Sequence, residues 1–395
     1  MALNILNGQV LVGSTFEAVA VTIREGAIAL DAPAASGLTI DAGGLMVLPG
    51  IVDIHGDAFE RQIEPRPGVR FPLPLALQET DRQLVVNGIT TACHAVTCSW
   101  EPGLRSMETA ARLIEGLDDA RGQLAADNRF HLRHEIFNLD GEAQVLEWIA
   151  GGKLTALAFN DHMDDITRQV ERRSSKLGRM IERTGLDRDA YLALVERTIN
   201  RAGEVPASIA RIAEAARIAG LPILSHDDRH LEDRFLYRGL GSRIAEFPKV
   251  VDVAREAIAA HEHVVFGAPN IVRGGSQNSG SPAAGEMVAR GFCTILASDY
   301  FYPALRQAVF ALTKDRTMTL AAAWALVSAH PAEALGLTDR GTIRAGLRGD
   351  LALVRMAERG LDIVATIADG RVVHLTEPHR ILAQAGAAAA ARRVA

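Results

Sequence analysis

Eight apolar runs recur between residues 46 and 300, and each stops at polar residues capable of chemistry. They read MVLPGIVDIHGD, GITTACHAV, FHLRHEIF, LTALAFNDH, LPILSHDD, SRIAEFP, HVVFGAPN and FCTILASDY. Most are separated by stretches of helical periodicity, such as PASIARIAEAARIAGL and VVDVAREAIAAHEH. Such alternation specifies parallel strands with helical crossovers, and eight units is the count of a (β/α)8 TIM barrel, an α/β fold. The C-terminal ends of barrel strands form one face, where active sites are built. The polar residues scattered from 55 to 299 are therefore expected to share one pocket.

The two ends of the chain carry a different pattern. Residues 1–48 read as short strands joined by Gly-containing turns, and 342–375 look the same. The termini are expected to meet in one discontinuous β domain, 1–48 with 345–380, around a barrel of 49–344. Residues 381–395 are a low-complexity tail. Residues 163–205 exceed what one barrel helix needs and are rich in charge. Solvated helices are the first reading there, and a lid carrying phosphate-binding arginines is the second.

A length of 395 residues suits one large barrel or two modest domains. The net charge of −6 gives no basic field for nucleic acid. Cys93, Cys98 and Cys293 have no zinc-ribbon spacing, and their odd number gives no disulfide framework. No basic segment precedes an apolar core at the N-terminus, and no apolar run reaches the roughly 18 residues of a membrane helix. A cytoplasmic protein with neither nucleic acid nor membrane as partner is expected.

His55 and Asp57 stand two apart at a strand end, so their side chains share a face. Imidazole nitrogen and carboxylate oxygen are both good ligands for zinc or manganese. Glu135, His226 and Asp299 end other strands and strengthen the metal reading. Arg61, Arg66 and Arg70 follow the first of these ends, and Arg273 lies in a Gly-rich loop, RGGSQNSG. Guanidinium forks pair well with phosphate oxygens, and glycines let backbone N–H groups approach an anion. No Walker GxxxxGK[ST] occurs, which argues against a P-loop NTPase.

The frame PGIVDIHGD, then LSHDD, then ASDY resembles the amidohydrolase superfamily. The ordered set EPRPGV, ITT, LRHE, NDH, SHDD, EFP, GAPNIVRGGS and SDYFYPA is similar to one branch of it, from about residue 2 to 375. That branch is the α-D-ribose 1-methylphosphonate 5-triphosphate diphosphatases of phosphonate metabolism. The resemblance implies a metal-dependent barrel with a small β-sandwich from both termini, and one or two divalent ions, zinc with manganese or iron as alternatives. It implies His55, Asp57, Glu135, His226 and Asp299 as ligands, with Glu135 bridging two metals or serving one. His162 and Glu246 are secondary candidates, as ligands or as hydrogen-bond partners. Asp227 and Asp228 either orient His226 or nearby ligands, or cap the following helix. Arg61, Arg66, Arg70, Arg273, Asn270 and Ser276 are the expected substrate contacts. The chain departs from the usual HTDN at Gly56 and Ala58, and from SHSGN at Gln277, where a histidine is lost. His134 in LRHE is set aside as a ligand.

The implied reaction is attack by water on the α-phosphorus of a sugar 5-triphosphate, releasing pyrophosphate, with Asp299 taking the proton. A C–N hydrolase such as a deaminase or cyclic amidase is the rival enzyme, and a metal-bearing scaffold subunit the rival without chemistry. A homo-oligomer is left open.

Overall fold

The computed structural model describes residues 2–30, 33–66, 68–172, 175–276 and 280–382; Gln277 and the tail from 383 lie outside the described residues. Eight parallel strands form one sheet in chain order: β1 (Ile51–Gly56), β2 (Ile89–Cys98), β3 (Asp127–Glu135), β4 (Ala156–Asn160), β5 (Ile223–His226), β6 (Ile244–Glu246), β7 (His263–Gly267) and β8 (Ile295–Ala297). The sheet closes where Gly56 bridges Asp299: the Asp57 N–H donates to the Asp299 carbonyl and the Asp299 N–H to the His55 carbonyl, both at 2.9 Å.

The strands read as continuous apolar runs because both their faces are covered. Every residue of β1, β2, β4 and β5 is buried. Ile54, Cys93, Ala158, Leu224, Ile244, Val265 and Ile295 pack together in one cluster with contributions from seven strands. Small residues at 156, 158 and 297 leave room for larger ones opposite. The helices press a separate apolar stripe on the barrel: in Leu73–Val85 the buried positions are 76, 77, 80, 81, 84 and 85.

Both termini build the remaining sheets. A four-stranded sheet orders Ala27–Ala29, Val21–Arg24, Leu3–Leu6 and Leu38–Asp41. A six-stranded sheet orders Arg371–Leu375, Gly360–Ala368, Leu351–Ala357, Met46–Pro49, Gln9–Val12 and Thr15–Glu17. Ile5, Val21 and Ile40 of the first share a buried core with Val10, Val47, Leu351 and Val364 of the second, which makes a β-sandwich. Hairpins are only part of it, since Leu3–Leu6 runs parallel to Leu38–Asp41 and Gln9–Val12 parallel to Met46–Pro49. Met46–Pro49 also pairs with Leu351–Ala357 and leads straight into β1, so the sandwich fixes the start of the barrel.

The long excursion after β4 folds as helices Met163–Glu171, Ser175–Thr184 and Arg188–Ile199. Ile166, Leu177, Tyr191 and Val195 give it a small core of its own. Its charges are paired, as in Arg168–Asp165 and Arg183–Glu101. Among the described residues no helix is long and apolar enough to cross a membrane.

Candidate metal centre and active site

The C-terminal strand ends converge on a pocket of about 210 Å³ whose walls include His55, Asp57, Arg133, His226, Asp227, Lys249, Asn270, Arg273, Ser276 and Asp299. Two carboxylates reach it through unusual backbone. Asp227, immediately after β5, has φ 66°, and Asp299, just past β8, has φ 54°. Aspartate tolerates this left-handed region better than most residues, and such conformations gather at functional sites. Opposite Asp299, β7 ends in Gly267; a Cβ there would stand 3.2 Å from Asp299 Oδ2. Gly56 is required by the barrel seam, because a Cβ would meet Asp53 Oδ2 at 2.8 Å. Asp53 is occupied in receiving the backbone N–H and hydroxyl of Ser298, at 3.0 and 2.5 Å.

At the floor lies Glu246, fully buried on β6. One carboxylate oxygen is 2.8 Å from His55 Nδ1, and the other accepts from His226 Nδ1 at 2.7 Å. His131 on β3 completes the group. Its Nδ1 donates to the Ile54 carbonyl at 3.0 Å, which leaves Nε2 buried and without a partner. Burial pushes its pKa down to about 4, so the free nitrogen carries a lone pair. His55, His131 and Glu246 each place a ligand atom within 4.8 Å of the others. His162, His226 and Asp227 form a second such group. The His55 and His226 rings stack 5.6 Å apart, so the two groups are adjacent.

An orphaned imidazole nitrogen within a His–His–carboxylate set is the donor chemistry that suits a zinc-like divalent ion. Glu135 stands behind the second group, accepting from His162 Nδ1 at 2.6 Å, and its charge raises His162 to about 9. Asp227 pairs with Lys249 at 2.8 Å. Asp299 is raised to about 6, first by burial and then by Asp57.

Of the expected ligands, His55 and His226 fall in separate groups, joined by the secondary candidates Glu246 and His162. Asp57 and Asp299 are in the pocket wall outside both groups, with Asp57 3.9 Å from Arg133. Asp228 corrects both of its readings. It accepts from Ser225 at 2.6 Å and faces Arg234, so it neither orients His226 nor caps the next helix, whose cap is His230. His134 turns to the opposite face of β3 and packs against Phe159.

The cationic wall also differs from expectation. Arg61 donates to the Tyr300 carbonyl from a neighbouring cavity, Arg70 pairs with Glu64 at 2.8 Å, and Arg66 is exposed on its loop. All three lie outside the walls of the pocket, because the chain turns away after Asp57 into the short helix Glu60–Ile63. Arg273 is in the wall and touches the Tyr300 hydroxyl at 3.3 Å, while Asn270 holds the loop by bonds to Pro282 and Ala284. Two cations that the sequence reading passed over, Arg133 and Lys249, complete the wall.

The Amidohydrolase family profile matches residues 154–374. The α-D-ribose 1-methylphosphonate 5-triphosphate diphosphatase of Escherichia coli (strain K12) is 32% identical over 336 residues, covering 82% of this chain and 87% of that protein. Among solved structures, β-aspartyl dipeptidase from Fervidobacterium islandicum superposes with a TM-score of 0.64 at 15% identity, covering 95% of this chain and 97% of that one. N-acetylglucosamine-6-phosphate deacetylase from Pasteurella multocida gives 0.62 at 10%, covering 94% and 99%. These two likenesses establish the fold alone.

Proposed function

The chain belongs to the amidohydrolase superfamily, of the ribose-triphosphate diphosphatase type, and from that premise we propose that this hydrolase releases pyrophosphate from α-D-ribose 1-methylphosphonate 5-triphosphate. The observation that carries the reading is the pairing of two histidine–carboxylate groups with a wall containing Arg133, Lys249 and Arg273. His55, His131 and Glu246, or His162, His226 and Asp227, would hold a divalent ion, which would supply Lewis acidity when bound.

The residues divide the rest of the work. Arg133, Lys249 and Arg273 receive the polyphosphate and neutralise charge as it shifts toward the leaving group. The oxygen of water forms a bond to the α-phosphorus while the bond from the α-phosphorus to the α,β-bridging oxygen breaks. The electron pair leaves on pyrophosphate, and one water proton passes to the Asp299 carboxylate. The sugar keeps a 5-phosphate. Glu246 holds the imidazole of His226 in fixed tautomer and orientation and stands 2.8 Å from His55 Nδ1.

A C–N hydrolase acting on a neutral amide, the rival with the same barrel, brings no charge for Arg133, Lys249 and Arg273 to meet. Phosphorus NMR of the zinc-loaded protein with the ribose triphosphate separates the two. Equimolar pyrophosphate and sugar 5-phosphate are expected; an unchanged triphosphate spectrum, with ammonia released from an amide or amidine substrate, overturns the proposal.

A further inference from the structure

We propose that Arg133 is the residue that receives the substrate phosphate at the pocket floor, and that it does so by letting go of His226. The inference deepens the phosphate reading above and rests on it.

Arg133 lies on β3 between His131 and Glu135 in the inward-facing alternation, and its side chain is 8% exposed. A buried guanidinium ordinarily sits in a carboxylate fork, because its desolvation is otherwise uncompensated. Arg133 has no such fork. Its nearest ion-pair partner is Asp57 at 3.9 Å, beyond hydrogen-bond length, and its Nε is buried without a partner. Among the described residues its one short contact is Nη2 to His226 Nε2 at 2.8 Å. That imidazole donates through Nδ1 to Glu246, so Nε2 is the lone-pair nitrogen and the ring is neutral. A buried cation leaning on a neutral ring, with its fork facing a pocket, is a preformed anion site.

The same lone pair has a second claimant. In the His162–His226–Asp227 group, His226 can offer an ion only Nε2, since Nδ1 is committed to Glu246. Arg133 and a metal in that group therefore compete for one nitrogen. An anion that draws the guanidinium into the pocket frees the nitrogen.

The test uses the full chain, with ribose 5-phosphate as the anion probe and zinc as the metal probe. Calorimetry on the metal-free protein should show Arg133→Met binding ribose 5-phosphate about tenfold to a hundredfold more weakly, the scale of a lost charged hydrogen bond. Arg133→Lys, which keeps the charge but not the fork, should fall between and guards against misfolding of the first variant. Zinc affinity, read by competition with a fluorescent chelator and without any anion, should rise in Arg133→Met by about fivefold or more once the competitor is gone. Wild-type ribose 5-phosphate affinity in both variants, or zinc affinity that stays level or falls in Arg133→Met, overturns the inference. Should the wild type release pyrophosphate while the variants bind the probe normally, only the role of Arg133 falls. Should the wild type neither bind the probe nor release pyrophosphate, the phosphate reading falls and takes this inference with it.

Discussion

The two ends of the barrel hold opposite solutions to burying charge. The larger cavity, about 710 Å³, is at the base, where the strands begin, and is walled by Asp118, Asp127, Arg129, Lys153, Asp339, Arg340 and Arg348 among others. There the charges answer one another. Asp127 receives Arg340 at 2.7 Å, Arg129 at 2.8 Å and Arg348 at 3.2 Å, and Lys153 meets Asp118 at 2.7 Å. At the mouth, in less than a third of that volume, His131 Nε2 and Arg133 Nε have no partner and Glu246 joins two imidazoles. Size does not locate chemistry here. What distinguishes the mouth is that its unpartnered nitrogens stand beside two groups of side chains able to hold a metal, whereas the cross-paired base ties the segment around 339–350 to β3.

Removing the floor of the mouth should give the largest effect. Glu246→Ala or His226→Ala should lower the bound divalent metal and abolish turnover, as should a chelator, while circular dichroism stays native. Both variants retaining wild-type metal content and rate would erase the distinction between the two ends.

The matching change at the base should do the reverse. Asp127→Ala removes a carboxylate shared by Arg129, Arg340 and Arg348, but Arg340 keeps Asp339 and Thr91, each at 2.8 Å, so the cost in urea unfolding should be about 1–2 kcal/mol. Its kcat/KM should hold within about twofold. Loss of activity at unchanged stability would make the base a functional site.

Next in size comes the wall. Arg273→Ala should lower kcat/KM on the triphosphate by about tenfold to a hundredfold, with metal content intact. Arg66→Ala, on its exposed loop, should change it by less than about twofold, in the range of an ordinary surface substitution. Equal losses in the two would restore the rim of arginines expected from the sequence.

The smallest effect is one of pH. Burial works against ionisation of Asp127, but Arg129 and Arg340 outweigh it and hold the carboxyl below its usual range. A depressed folded pKa contributes stability that is present above the unfolded value, near 3.9, and lost as pH falls through the folded pKa. Asp127→Asn should flatten that acid limb in urea midpoints measured from about pH 5 downward. An acid limb identical to the wild type would show that the base network does not carry it.

What the sequence disclosed follows from where residues stand on a strand. The barrel was legible because each apolar run is closed by polar residues, and His55, His226 and Asp299 were legible as the last of those. His131 and Arg133 sit four and two positions before Glu135 within FHLRHE, a stretch read only at its end. Following the two-residue alternation back from Glu135 would have found both and sent His134 outward. Lys249 was hidden by following EFP rather than belonging to it. Arg61, Arg66 and Arg70 misled because nearness to a metal strand in sequence is not nearness to its pocket once a helix intervenes. The base network joins residues 213 apart, Arg340 to Asp127, and no local pattern announces such a pair.

On the proposed function, the mouth directs water to the α-phosphorus of a sugar 5-triphosphate. Turnover of α-D-ribose 1-methylphosphonate 5-triphosphate in ¹⁸O-water, followed by phosphorus NMR, tests it most directly. The isotope shift is expected on the sugar 5-phosphate, with unlabelled pyrophosphate released in equal amount. Label in pyrophosphate, stepwise release of inorganic phosphate, or no phosphorus product at all would contradict it.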